Sequence, residues 1–157
     1  MKFNYYAFRA MYLHEMDRFK RTLMQSLFSP VLSTSLYFIV FGSVIGGYVE
    51  KIDGISYGSF IVPGLLMLTL LTQSISNTSF GIFFPKFNGT IYEILAAPIS
   101  TFEIVLAFVG AGATKTLIVG LVIFLTSTFF VEVQVMYPLL MIFLLVLVAF
   151  TFALFGF

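Results

Sequence analysis

Charged side chains are missing from long stretches of this chain. No Asp, Glu, Lys or Arg occurs between Arg21 and Glu50, between Asp53 and Lys86, between Glu103 and Lys115, between Lys115 and Glu132, or after Glu132. A helix that crosses the hydrocarbon core of a bilayer needs about 20 mostly apolar residues. The gaps therefore predict membrane-spanning helices over 27–48, 60–84, 103–130 and 138–157. A β-barrel would alternate polar and apolar residues, and these runs do not. A soluble all-helical core is equally disfavoured. The chain is 60% hydrophobic and 10% charged, whereas soluble domains carry about 25% charged residues. The fold class that follows is an all-α integral membrane protein.

Residues 4–25 differ from the spans. Tyr5, Phe8, Tyr12, Met16, Phe19, Leu23 and Leu27 recur at steps of three and four, so they share one helical face. Arg9, Glu15, Arg18 and Arg21 fall largely elsewhere. This pattern predicts an amphipathic interfacial helix over 4–25, lying in the headgroup plane. The first apolar run is too long for the h-region of a cleaved signal, so the first span should be retained. Lys2, Arg9, Arg18, Lys20 and Arg21 precede that span, and Lys86 follows the second. By the positive-inside bias the N-terminus and the 86–102 loop are cytoplasmic, and the loops around 50–53 and 132–137 face outward. The chain stops in apolar sequence over 151–157 with no polar flank, as expected of a fragment of a longer protein.

Several features lie within the spans. Gly42 and Gly46, and the row Gly112, Thr116 and Gly120, put small residues where helices can approach closely. Pro63-Gly64 should loosen the second span. Beyond it Thr69, Thr72, Gln73, Ser76 and Ser79 fall within about 120° of arc, with Asn77 beside them. Their polar groups need partners away from lipid. The arc is either a lining for a translocation path or hydrogen-bonding glue between helices. Lys115 is the charge well inside a span. It is expected to snorkel toward the inner interface or to find a structural ion pair rather than touch substrate.

Chemistry of its own is not indicated. The chain has no cysteine, a single histidine and a net charge of +1, so disulfides, thiolate metal sites and nucleic-acid binding have no support. His14 is read as solvated. Glu93 and Glu103 are ten residues apart near the 86–102 loop and read as solvated or docking charges rather than an acid–base pair. No phosphate-cradling G-x-x-x-x-G-K-[ST] run occurs. The chain is therefore read as no enzyme, with no catalytic or metal-binding residues and no bound cofactor.

Two segments carry a resemblance. Phe60-Ile61-Val62-Pro63-Gly64-Leu65-Leu66, and Thr90-Ile91-Tyr92-Glu93-Ile94-Leu95-Ala96-Ala97-Pro98-Ile99-Ser100 after Lys86-Phe87, resemble the type-2 ABC-transporter permease family. The similarity is strongest to bacterial inner-membrane permeases of the drug and polysaccharide export type. The resemblance implies six spans, of which four are in this sequence. It also implies a second permease copy as homodimer partner and ATP-binding-cassette ATPase subunits that hold ATP and Mg. It makes 88–98 a cytoplasmic coupling helix with its core at 90–98. Thr90, Ile91, Glu93, Ile94 and Leu95 would then face the ATPase, and Pro98 would set the turn into the third span. The implied function is export of a hydrophobic or amphipathic substrate (a drug, a lipid or a lipid-linked glycan). The competing readings are a self-contained carrier or channel and a non-transporting scaffold. A carrier would be expected to hold acidic residues inside its spans.

Overall fold

The computed structural model describes residues 3–45, 57–131 and 135–157, without the side chains of 42–45. Among them there are helices and no strands. In chain order these are α1 (Tyr5–Arg21), α2 (Leu23–Tyr37), α3 (Tyr57–Phe87), α4 (Ile91–Ala96), α5 (Thr101–Phe130) and α6 (Pro138–Gly156). A wide-turned π-helical segment, Phe38–Ile45, extends α2. Among the described residues four helices are long and apolar enough to cross a membrane: Leu23–Phe41, Tyr57–Phe87, Thr101–Phe130 and Pro138–Gly156. The protein is thus an all-α, multi-pass integral membrane protein. The α2 span begins four residues earlier than the charge gaps suggest, and α3 runs three residues further at each end. Gly46, and most of the two loops read as outward-facing, lie outside the described residues.

Helix α5 is the centre of the bundle. Its most apolar stretch is 56% buried, against 11% for α2 and for α6. It touches α1, α2, α3 and α6. Leu70 lies against Gly120 and Thr78 against Gly112, so α3 runs antiparallel to α5. Helix α6 runs parallel to α3, with hydroxyl groups bridging the two. Ser74 Oγ donates to the Ala149 carbonyl, and Ser79 Oγ donates to the Gly156 carbonyl at 2.7 Å. Val109 and Ala113 of α5 pack with Ala149 and Ala153 of α6. Small side chains at these crossings let backbones approach, which is how helices associate where lipid removes the hydrophobic drive. Helix α3 continues through Pro63 without ending.

The sequence reading lays α1 flat in the headgroup plane; the structure lays it lengthwise along α5. Asn4 meets Glu103, Tyr12 meets Thr114, Glu15 meets Lys115, and Phe19 packs with Val119 and Ile123. Both residue numbers advance together over about four turns. Two helices crossing steeply would touch over far fewer. The reason is Glu15, which stands three residues after Tyr12 and four before Phe19 and so shares their buried face, 3% exposed.

The closest crossing tests this packing. A Cβ on Gly112 would collide with Thr78 Oγ1 and lie 3.3 Å from Thr78 Cβ. That hydroxyl is buried and has no hydrogen-bond partner among the described residues, so its removal costs little. Gly112→Ala is expected to destabilise the protein by about 1–3 kcal/mol in detergent, as overpacking does. In a Thr78→Ala background the same change should cost less than half as much. Equal costs in both backgrounds, read from thermal unfolding, would mean that this crossing is looser than described.

Candidate functional site

The end of the bundle that carries α4 is built by local backbone chemistry. Helix α3 stops at Phe87, and Gly89 follows with φ +78°, a left-handed conformation that favours glycine. The chain turns there, and α4 begins after Thr90. Six residues later it turns again through Ala97-Pro98. Ser100 then caps α5. Its Oγ accepts from the Glu103 N–H, and Glu103 Oε2 accepts from the Ser100 N–H at 2.8 Å. This is a capping box. The other oxygen of Glu103, Oε1, accepts from the Asn4 N–H, and the Asn4 side chain caps α1 through the Ala7 N–H. Glu103 is therefore not a solvated or docking charge: it is buried, and one carboxylate holds the starts of two helices.

Helix α4 has an anchored face and an open one. Ile94 and Ile99 pack on a cluster of Ile82 from α3 with Ile104 and Phe108 from α5, and Met11 of α1 joins it. Ile94 thus plugs into the bundle instead of facing outward with its neighbours. Ile91 is half-buried. Thr90, Tyr92, Glu93, Leu95 and Pro98 are exposed, with Tyr92 at 74% and Leu95 at 64%. An exposed tyrosine, leucine and carboxylate on a short helix tied to three others form a surface fit for a protein partner.

The polar arc of α3 splits into parts. Thr69 and Thr72 donate back to the Leu65 and Leu68 carbonyls at 2.8 and 3.0 Å, so their hydroxyls are satisfied by their own helix. Asn77 Nδ2 donates to Thr116 Oγ1 of α5 at 3.4 Å. Thr72 and Ser76 are exposed and Gln73 is half-buried. Asn77 thus acts as interhelical glue, while Thr72, Gln73 and Ser76 lie toward the outside of this bundle.

Lys115 points elsewhere. Its ammonium donates to Glu15 Oε2 at 2.7 Å, and both side chains are 4% exposed. The same oxygen takes Arg18 at 2.9 Å, and the Arg18 guanidinium lies over the Phe84 ring, 5.9 Å from its centre. Lys115 is therefore paired rather than snorkelling. Sequence reasoning missed Glu15. Its position between Tyr12 and Phe19 on the apolar face, with an intramembrane lysine to be neutralised, was the available signal. His14 is exposed, as expected of a solvated histidine. Among the described residues no three of His, Cys, Asp and Glu come together as a metal site.

Residues 6–157 match the ABC-2 type transporter family. The chain is 39% identical over 150 residues to the inner membrane transport permease YadH of Escherichia coli K12, covering 96% of this chain and 59% of that protein. The YadH proteins of Escherichia coli O157:H7 and Shigella flexneri match to the same extent. The chain thus spans somewhat under two thirds of the length of the curated relatives it matches. No solved structure matches.

The buried ion pair yields a double-mutant test. Glu15→Leu strands the Lys115 charge in the bundle and should cost about 3–5 kcal/mol. Adding Lys115→Met should restore most of that loss. Thermal unfolding of the two variants decides: a double variant no more stable than Glu15→Leu would show that the pair does not hold α1 to α5.

Proposed function

The chain belongs to the ABC-2 type transporter family, and from that premise we propose that it forms the membrane-embedded permease of an ATP-binding-cassette exporter of the inner membrane. In this reading its N-terminus and α4 face the cytoplasm, in keeping with the basic residues at 2–21 and at Lys86. A separate ATPase subunit binds ATP and Mg. The exposed Thr90, Tyr92, Glu93 and Leu95 of α4 receive it, and a second copy of the permease completes the transporter.

The observation that carries this reading is the two-sided character of α4. Its outer face is free for a partner, and Ile94 is wedged among side chains of α1, α3 and α5. A push on α4 therefore reaches three helices at once. Packed cores do not deform smoothly, so small shifts at such a joint become rigid-body tilts. Closure of the ATPase pair on ATP would tilt α3 and α5 and switch access to a path beside them. Thr72, Gln73 and Ser76 mark the side of α3 open to that path. The cargo class is hydrophobic or amphipathic, consistent with the apolar walls of the chain. A gradient-driven carrier is disfavoured, because the buried carboxylate of Glu15 is engaged by two cations.

Glu93→Arg combined with Leu95→Asp in the full-length protein should lower ATP-driven efflux by about tenfold or more, the loss of a central contact patch, with insertion and thermal stability unchanged. The measurement is transport in inverted membrane vesicles. Unaltered efflux would refute α4 as the coupling element.

A further inference from the structure

The two longest helices outrun a bilayer. Helices α3 and α5 have 31 and 30 residues. That is about 45 Å of helix at 1.5 Å per residue, against a hydrocarbon core about 30 Å thick. Tilting them into that core would take about 48°, beyond the roughly 40° reached by spanning helices. They lie antiparallel, with Leu70 beside Gly120 and Thr78 beside Gly112, so their ends are nearly level and share the excess.

Helix α1 shows on which side the excess falls. It lies along α5 from Glu103 to Val119 and exposes Arg9, His14, Asp17, Lys20 and Arg21. So many polar groups do not face lipid tails. Lys20 and Arg21 stand furthest from the α4 end, and helical side chains lean toward the N-terminus of their helix, here back toward that end and water. At the opposite end the described residues 38–45, 57–66, 121–131 and 135–148 carry no charge. The bundle therefore projects from the bilayer on the α4 side, by at least about 15 Å.

That projecting end exposes aromatic rings that lipid does not reach. Tyr6 is 82% exposed and Phe102 is 69% exposed, and Tyr5 lies 6.3 Å from Tyr6 between ring centres. The Glu103 carboxylate accepts from the Asn4 N–H and so brings the first turns of α1 and α5 together. The three rings thus share one corner of the bundle. Ser100 leads from that corner back through Pro98 to α4, where Tyr92 and Leu95 are exposed as well. Clustered apolar groups in water mark a protein contact, and aromatic residues are enriched in such contacts.

We propose that Tyr5, Tyr6 and Phe102 form a second contact for the ATPase subunit, continuous with the exposed face of α4. The identity of the partner rests on the transport reading. A second permease copy meets this one across the bilayer, whereas a soluble subunit has direct access to a surface standing in the cytoplasm. Seated on both places, the ATPase grips α1 and α4 on either side of the Glu103 clasp. Its movement then reaches α5 twice, at its start through Ser100 and at Lys115 through Glu15.

The test uses the full-length permease and its ATPase in native membranes. p-Benzoylphenylalanine is placed at Tyr6, at Phe102, at Glu93 or at Phe60, an exposed residue near the opposite end, and proteins captured on irradiation are identified by mass spectrometry. Positions 6, 102 and 93 should capture an ATP-binding-cassette ATPase, and position 60 should not. Tyr6→Ala combined with Phe102→Ala should weaken retention of the ATPase on the purified permease about tenfold, as loss of aromatic anchors does. The melting temperature of the permease should not change, because both side chains are exposed. Capture from position 93 but from neither 6 nor 102 would overturn the proposal and leave α4 as the docking element. Capture from none of the three, in an assembly that transports, would overturn both. Capture of only a second permease copy from 6 and 102, or retention weakened less than about twofold by the double variant, would also overturn the proposal.

Discussion

An ammonium group inside an apolar helix bundle must be neutralised or expelled. Lys115 stands about 18 Å along α5 from Glu103 at 1.5 Å per residue, too deep to be left alone. The structure meets that demand from outside the four spans. Helix α1 delivers Glu15 to the ammonium and is thereby laid along α5. Once α1 is in place, Met11 reaches the cluster that holds Ile94, Arg18 reaches Phe84, and the Asn4 N–H reaches Glu103. One buried charge and its counter-charge thus bring α1 to the α4 end, whose turns and caps are set locally.

Close contact among α3, α5 and α6 has a different basis. Gly112, Gly120 and Gly156 remove the side chains that would block approach, and serine and asparagine groups then bond across the gaps. Other hydroxyls fold back on their own helices, as Thr69, Thr72, Thr114 and Thr116 do. A threonine that donates to the carbonyl one turn earlier needs no other helix. That is why a polar row within a span is weaker evidence for a water-lined path than its composition suggests.

Spans were legible in the sequence because the absence of charge over about 20 residues has few other physical meanings. Their ends were less so. Residues 57–59 carry no charge, and Lys86 closes the apolar run without ending the helix; the structure adds 57–59 and 85–87 to α3. The capping role of Glu103 was written locally, in Ser100-x-x-Glu103, and passed over because both glutamates near the loop were read by charge alone. The course of α1 was not legible from period and charge. An apolar stripe looks the same whether it faces lipid or another helix, and the partner that decides, Lys115, lies 100 residues away from Glu15. At α4, Glu93, Leu95 and Ile94 share one motif, yet only the fold separates the exposed pair from the anchor.

The central claim is that the α4 end of the bundle is the end that meets the ATPase. It is tested most directly by photo-crosslinking from single introduced cysteines, since the chain has no cysteine of its own. A reagent at Glu93→Cys should capture the ATPase subunit in membranes, whereas the same reagent at Tyr137→Cys, exposed at the far end of the bundle, should not. Capture from residue 137, or from neither position in an assembly that still hydrolyses ATP and transports, would contradict the account.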